Sequence, residues 1–364
     1  MEIRKIKKSE LGKVMEFNRK EYPAGHILQN ETYYNWQFDN VFNPESDSYT
    51  SLGLFNDAGE LVGTNGLFPA PITFLSKSLP CIWFANLIVR EDLRSLGYGY
   101  LLMEKSVSMA DMAVDHNINA AAWPLFIKSG WQGGDIERYL GIINPEGAER
   151  VIGQSNLGLK VLSSLPTNDS GLNFESVSKF DSEVDALWES VSQRYPISIE
   201  RSSKYLNWRY AEHPMTKYHI FSANAGNEMK GFIVLRIDEI TEGPERKPSG
   251  VKIGRIIDWV ADSSAEEFIL LQAIEWCRDQ KVDFIDYFTT ENFHAESLKK
   301  LGFVNDREEP YSLMPTLLNP IDRVKRTRHN FAFKISNPER LDSKAQDLGN
   351  WYAVKGCGDQ DRPY

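Results

Sequence analysis

Apolar and polar positions along the chain predict alternating strands and helices. Two apolar runs flank an Asn-Asp-Ala-Gly turn at residues 56–59, which is typical of a β-hairpin. From Gly97 to Ala113 the apolar positions recur every three or four residues, which predicts an amphipathic helix. The predicted strands in this part of the chain are residues 49–55, 61–68, 82–89 and 118–123. Alternating strands and helices favour an α/β fold with a mixed sheet.

The same pattern returns in the second half of the chain. Tyr-Tyr-Asn-Trp at residues 33–36 matches Tyr-Leu-Asn-Trp at 205–208, and the two tryptophans are 172 positions apart. Lys-Ser-Gly-Trp at 128–131 matches Lys-Leu-Gly-Phe at 300–303 with the same spacing. Chance similarity does not keep one spacing over so many residues, so we infer a duplication.

The duplication suggests how the chain is divided. Pro145 is expected to open a helix that runs through Leu162 and leads out of the first copy. The predicted units are a first domain of residues 1–145, a connector of 146–172, a second domain of 173–314 and a C-terminal tail of 315–364.

Net charge and apolar content narrow the range of partners. The formal net charge is −10, which argues against nucleic acid or a membrane surface as a partner. No run approaches the ~18 apolar residues of a membrane helix, and the N-terminus does not read as a signal peptide. The three cysteines have no disulfide or zinc spacing. We therefore expect a cytoplasmic protein, and the sequence leaves its oligomeric state open.

The most informative segment is the loop that joins the apolar run at 82–89 to the following helix. It contains Gly97 and Gly99, whose backbone amides can approach an anion because no Cβ intervenes. The helix N-terminus adds a favourable dipole, so the loop suits a phosphate or pyrophosphate. The segment matches neither a Walker loop nor the dinucleotide-binding fingerprint. A glycine turn that merely packs the helix on the strand remains the alternative.

The strand ending at Val89 and the spacing Arg94-x-x-Gly97-x-Gly99 resemble motif A of the GCN5-related N-acetyltransferases. Lys-Ser-Gly-Trp at 128–131 resembles their later motif. The resemblance covers nearly all of residues 1–145 and implies a coenzyme A site. It implies that the pyrophosphate lies on the amides of residues 94–100 and the pantetheine arm pairs with Leu87 and Val89. The implied coenzyme A residues are Leu87, Ile88, Val89, Arg94, Ser95, Leu96, Gly97, Tyr98, Gly99 and Tyr100.

The second copy departs from this pattern at the same loop. Glu266, Ile269 and Leu271 stand where the first copy has Arg94, Gly97 and Gly99. Both glycines are absent and a carboxylate replaces a cation, so we predict no coenzyme A in the second copy.

The resemblance also raises the question of the acid and the base. Family members often carry a tyrosine as general acid where this chain has Phe126 and, in the second copy, Leu298. Neither position supplies the tyrosine, so the alternatives are that the thiolate leaves unassisted or that water protonates it. Direct attack by the amine needs no nucleophilic side chain. The candidate catalytic residues are Asn86, His26, Asp135 and Glu137. For the last three, an ordinary surface position is the alternative.

The acceptor is suggested by a second resemblance. Residues 205–214 and 351–363 look like acyltransferases of bacterial surface-polysaccharide clusters, some of which acylate nucleotide-linked amino sugars. The resemblance implies acceptors such as dTDP-3-amino-3,6-dideoxyhexoses and acetyl or 3-hydroxybutanoyl groups. Two other tandem families, the N-myristoyltransferases and the aminoacyl-tRNA-dependent transferases, fit the motifs less well. The candidate acceptor-binding residues are Trp123, Trp208, Arg209 and Asp258.

Each acceptor residue also has an ordinary structural interpretation. Trp208 matches Trp36, and a repeated tryptophan is often a core residue. Asp258, which aligns with Asn86, suits either a pocket or a hydrogen-bonded position in a strand. The charged tail residues, among them Asp359 and Asp361, suit a solvated terminus equally well. Other functions also remain open, namely transfer to peptides or small amines and acyl-CoA sensing without catalysis.

Overall fold

A computed structural model describes residues 1–39, 41–42, 44–162, 171–290, 293–324, 329–336, 343–359 and 361. Helices in this part of the chain are α1 (Leu11–Glu21), α2 (Glu31–Phe38), α3 (Tyr98–Val107), α4 (Trp123–Lys128), α5 (Pro145–Ile152), α6 (Ser182–Val191), α7 (Ser203–Leu206), α8 (Glu266–Asp279) and α9 (Ala295–Lys300). A π-helical turn, Asn207–Ala211, continues α7.

The strands are numbered along the chain. Those before the connector are β1 (Glu2–Lys7), β2 (Ser48–Phe55), β3 (Leu61–Pro69), β4 (Ile72–Phe74), β5 (Lys77–Leu79), β6 (Cys81–Val89), β7 (Met112–His116), β8 (Gln132–Asp135) and β9 (Glu137–Ile142). Those after it are β10 (Asn173–Val177), β11 (Ile197–Ile199), β12 (His219–Ala225), β13 (Glu228–Glu242), β14 (Lys247–Ala261), β15 (Phe284–Thr289), β16 (Val304–Asn305), β17 (Leu317–Leu318), β18 (Ile321–Asp322), β19 (Asn330–Ile335) and β20 (Trp351–Tyr352).

Two seven-stranded mixed sheets carry the architecture. The first has the order β1-β2-β3-β6-β7-β19-β8, and the second has the order β10-β12-β13-β14-β15-β9-β16. In each, one parallel pair, β6 with β7 and β14 with β15, stands among antiparallel neighbours. The predicted mixed α/β fold with two copies is confirmed.

The two sheets exchange strands. β9, from the end of the first copy, pairs with β15 and β16 in the second sheet. In return β19, from the C-terminal part, lies between β7 and β8 in the first sheet. The sequence boundaries at residues 145 and 315 therefore do not coincide with the sheet boundaries, because each sheet contains a strand from outside its own predicted domain.

The repeated tryptophans meet where the two copies face each other. The Trp36 indole N–H donates to the Trp208 carbonyl at 2.9 Å, and the Trp208 N–H donates to the Trp36 carbonyl at 3.0 Å. The rings are stacked with centroids 5.2 Å apart. Because each tryptophan makes the same contact with the other, the two copies are related at this point by a local two-fold axis. A smaller sheet of order β20-β11-β4-β5 also joins the copies.

Three secondary-structure predictions need correction. The predicted helix ends at Val107, and residues 112–116 are a strand because they pair with β6 and β19. The predicted strand at 118–123 is instead a turn leading into α4. The connector helix ends at Ile152, where Gly153 takes the left-handed conformation at φ 83°.

The hydrophobic core continues across both sheets. α1 and α2 pack on the face of the first sheet that carries Trp83 and Val114, and the second copy lies on this same side. α3 and α4 pack on the opposite face, against Phe84 and Ala113. In the described ranges, no helix is long and apolar enough to span a membrane.

Candidate functional site

A V-shaped opening separates β6 and β7 in the first copy. The parallel pairing runs from Cys81↔Met112 to Trp83↔Val114 and then stops. Beyond that point β6 carries a bulge opposite β3, and Asn86 takes the left-handed conformation at φ 67°. Asparagine tolerates this conformation better than most residues, which explains its place in an apolar strand. The opening exposes the Leu87 and Ile88 positions in part.

The helix that leaves this opening begins without a side-chain cap. Gly97, at φ 83°, precedes α3, and the first α-helical bond is donated by the Leu101 amide to the Gly97 carbonyl at 3.1 Å. The amides of Gly97, Tyr98, Gly99 and Tyr100 stand at this helix start, where an α-helix has no internal acceptors for them. Backbone amides in such a position, together with the helix dipole, could hold an anionic group.

The glycines of this loop are not required by packing. A Cβ built on Gly97 meets nothing within 4 Å, and one built on Gly99 meets only a Val89 methyl group at 3.8 Å. Gly97 is explained by its positive φ, but Gly99 is not explained by any neighbour in the described chain. The open surroundings favour the interpretation that Gly99 lets a ligand approach the backbone.

Arg94 shapes the loop from within. Its guanidinium donates to the Val89 carbonyl at 2.9 Å and lies 3.3 Å from the Glu21 carboxylate at the end of α1. Its side chain is still 54% exposed. Arg94 therefore ties the loop to β6 and α1 while more than half of its side chain stays exposed.

The corresponding salt bridge in the second copy has its charges reversed. Arg194 replaces Glu21, Glu266 replaces Arg94, and the two side chains are 2.6 Å apart. Burial opposes ionisation of Glu266, yet contacts with His294, Arg194 and Ser297 lower its pKa to about 2. This position therefore offers a phosphate no positive charge of its own, unlike Arg94 in the first copy, which agrees with the prediction that this loop does not bind coenzyme A.

The V of the second copy is filled by the chain itself. The tail donates from the Gly356 amide to the Ile257 carbonyl at 3.0 Å, on the β14 side. On the β15 side the Thr290 amide donates to the Ala353 carbonyl at 3.0 Å. A Cβ on Gly356 would overlap the Tyr210 hydroxyl, so only glycine fits at this position. The tail therefore bridges β14 and β15 in the second copy, whereas the described residues show no such backbone bridge between β6 and β7.

Three of the predicted acceptor residues are engaged elsewhere. Trp208 is held by Trp36, and the Arg209 guanidinium donates to the Gly356 and Gly358 carbonyls at 2.9 and 3.2 Å. Asp258 accepts from the Tyr210 hydroxyl at 2.9 Å and is buried. These three side chains hold the copies and the tail together. The fourth, Trp123, begins α4 and packs against the core beside α3.

The predicted bases lie in different places. The His26 ring stacks on Tyr22, with centroids 4.2 Å apart, and its Nδ1 accepts from the Leu28 amide. Asp135 ends β8, which is separated from β7 by β19. Glu137 is in the second sheet, bound by Asn305 at 2.6 Å and Arg307 at 2.8 Å. Of the four candidate catalytic residues, Asn86 is the one that the structure places on the wall of the V.

Two carboxylates that the sequence did not single out as catalytic lie at the V. Asp359, in the tail, accepts from the Asn86 side-chain amide at 3.2 Å. Asp115 follows the last β6–β7 pair on the opposite strand. Asp359 and Asp361 are buried, so the solvated-terminus interpretation of the tail is wrong for both. Arg362 and Pro363 lie outside the described residues.

A cleft of about 440 Å³ opens at the junction of the copies. Its lining includes Arg138 and Phe288 of the second sheet and His329, which precedes β19. Phe331 of β19 packs edge-on against His116 at the V, with ring centroids 5.1 Å apart. His329 of the cleft is thus two residues before Phe331, which contacts the V.

Comparison with solved structures places the fold among acyltransferases. The chain superposes on a GCN5-related N-acetyltransferase from Anabaena variabilis with a TM-score of 0.60 and 12% identity, covering 92% of this chain and 73% of that one. It superposes on Saccharomyces cerevisiae N-myristoyltransferase with bound myristoyl-CoA at a TM-score of 0.55 and 12% identity, covering 92% and 78%. A probable N-acyltransferase from Enterococcus faecalis gives 0.56 at 11% identity, covering 92% and 72%.

At such low identity the likeness establishes the fold alone, which is that of the GCN5-related N-acetyltransferases. No protein-family model matches the sequence, and no curated protein is similar to it. N-myristoyltransferases, which the motifs had set aside, share this fold at low identity.

Proposed function

We propose that the protein is an acyl-CoA-dependent N-acyltransferase whose single coenzyme A site lies in the first copy. The observation that carries the proposal is the uncapped start of α3 beside the open V of β6 and β7. The filled second V is an internal control for this interpretation, because the same fold there has lost both the open groove and the glycines.

The residues present fit coenzyme A. The amides of Gly97 to Tyr100 would hold the pyrophosphate, with Arg94 adding positive charge. The β6 edge at Leu87 to Val89 would bind the pantetheine arm, and an amide near Ile88 would stabilise negative charge on the thioester oxygen. Bound acyl-CoA supplies an activated acyl group, so the chain needs no nucleophile of its own.

For the acceptor we propose the amine of a nucleotide-linked amino sugar. The support is the sequence resemblance in residues 205–214 and the tail, together with the junction cleft, which is large enough for part of such a ligand. In this proposal Trp208 stabilises the interface between the copies and Arg209 holds the tail, and neither residue contacts the ligand. Arg307, 44% exposed at the cleft, is the better candidate for a phosphate contact.

The test is a thiol-release assay with acetyl-CoA and 3-hydroxybutanoyl-CoA against a panel of amines. dTDP- and UDP-linked amino sugars should release coenzyme A at rates that saturate with acceptor. Arg307→Ala should raise the KM for the sugar acceptor with little change in kcat. Release of coenzyme A only with peptides or polyamines would contradict the proposal of a sugar acceptor, but the protein would still be an N-acyltransferase. Tight coenzyme A binding without release against any amine would contradict catalysis and favour a sensor.

A further inference from the structure

The C-terminal tail runs from the closed V of the second copy to the open V of the first. After Gly356, its backbone is held by Arg209, which donates to carbonyls on both sides of Cys357. Gly358 then lies against the first copy, where a Cβ would meet Trp83 at 3.5 Å and His116 at 3.7 Å. The tail therefore approaches the first V from the face that the second copy covers.

Asp359 is fixed in this position from both sides. Before it, Arg209 binds the Gly358 carbonyl at 3.2 Å. After it, the Asp361 carboxylate pairs with Arg236 at 2.6 Å. Asp359 itself is buried and contacts Asn86, the bulged residue of β6, at 3.2 Å. A carboxylate anchored by its neighbours on a rigid scaffold is preorganised for chemistry.

Asp115 faces the same opening from the other side of the sheet. Side chains alternate along a strand, and Val114 and His116 point to the face of Trp83. Asp115 therefore points to the opposite face, on which α3 packs. The two carboxylates thus bracket the V, Asp359 on the side of the second copy and Asp115 on the side of α3.

The surroundings of the V favour the protonated form of Asp115. Burial raises the pKa of Asp115 well above its usual value, and the nearby Asp359 charge raises it further. A hydrogen bond from the His116 backbone lowers the pKa of Asp115 in part. The His116 imidazole adds no positive charge, because burial lowers its own pKa to about 3. The protonated form of Asp115 is therefore favoured beside the Asp359 charge.

We propose that Asp359 and Asp115 are the acid–base pair of the first copy, with Asp359 receiving the proton of the acceptor amine and Asp115 supplying a proton to the departing thiolate. The inference rests on the proposed function and assigns the roles that Phe126 cannot fill. The acceptor enters as a neutral amine. Its lone pair forms the C–N bond with the thioester carbon, the C–S bond breaks, one nitrogen proton passes to Asp359, and the Asp115 proton passes to sulfur. Return of the proton from Asp359 to Asp115 restores the pair.

The experiment compares the full-length chain with Asp359→Asn, Asp115→Asn and the control Asp279→Asn, which changes an exposed carboxylate at the end of α8. We expect turnover to fall roughly 10²- to 10⁴-fold in each of the first two variants, because general acid–base catalysis contributes on this order. Coenzyme A affinity should stay within about threefold of the original, and the control should leave both unchanged.

A carbon-13 NMR titration of the aspartate carboxyl groups gives a readout that does not depend on activity. Asp359→Asn should lower the pKa of Asp115, whereas a tail residue with a purely structural role would leave that pKa in place. Turnover of Asp359→Asn within threefold of the original, or an unchanged Asp115 titration, would overturn the inference. An original chain that releases no thiol with any amine would instead contradict the proposed function, so the two failures are distinguishable.

Discussion

Replacing Gly99 by alanine tests whether this glycine is needed for ligand binding or for packing at the start of α3. The new methyl group would meet only a Val89 methyl group at 3.8 Å, so the fold has room for it. Alanine in a helix is more stable than glycine by roughly 0.5–1 kcal/mol, and we expect the free protein to gain stability of this order. The same methyl group would stand where the pyrophosphate approaches the backbone.

The expected loss of affinity follows from the hydrogen bonds at this position. A hydrogen bond to a charged group contributes about 1.5–3 kcal/mol, so losing one weakens coenzyme A binding roughly 10- to 150-fold. Calorimetric titration measures the binding and denaturant unfolding measures the stability. Gly12→Ala in α1, where a Cβ meets nothing within 4 Å, is the matched control and should change stability alone. Unchanged coenzyme A affinity in Gly99→Ala would refute the reasoning.

Three further predictions concern the tail, the second loop and the interface. Gly356→Ala forces the tail against Tyr210 and should lower turnover while preserving coenzyme A affinity, measured by thiol release and calorimetry; loss of both would contradict the separation of roles. Glu266→Gln should cost about 1.5–3 kcal/mol of unfolding free energy at neutral pH. Because the folded pKa of Glu266 is about 2 against 4.5 for the ordinary group, the cost should be full above pH 4.5 and vanish as the pH falls through 2 in urea titrations. Trp36→Phe and Trp208→Phe should each destabilise the chain by about 1–3 kcal/mol, and a double-mutant cycle should give a coupling above roughly 0.5 kcal/mol; additive effects would exclude a reciprocal pair.

The sequence predicts those features whose signal is local. Gly97 and Gly99 mark a loop before a helix, and that loop is where the structure has its uncapped helix start. The repeated tryptophans indicated a duplication, and the structure joins them at the interface. In these cases the residues that form the sequence pattern are also the residues that determine the local structure.

Features that depend on remote segments escaped prediction. The apolar residues 109–113 continue the helical period, and only pairing with β6 and β19 makes Met112 to His116 a strand. The sequences of β9 and β19 do not indicate that each strand pairs with the sheet of another part of the chain. Asp359 resembles a solvated terminal residue because its burial depends on Arg209, which binds a carbonyl 149 positions away. Local composition could not reveal this.

The most direct test of the account is a crystal structure of the chain with a non-hydrolysable acyl-CoA analogue. We predict one molecule per chain, with its pyrophosphate on the amides of Gly97 to Tyr100 and its thioester mimic in the V between Asp115 and Asp359. We also predict that the tail at Gly356 stays in the second V. Coenzyme A found in the second V in place of the tail, or away from the start of α3, would contradict the account.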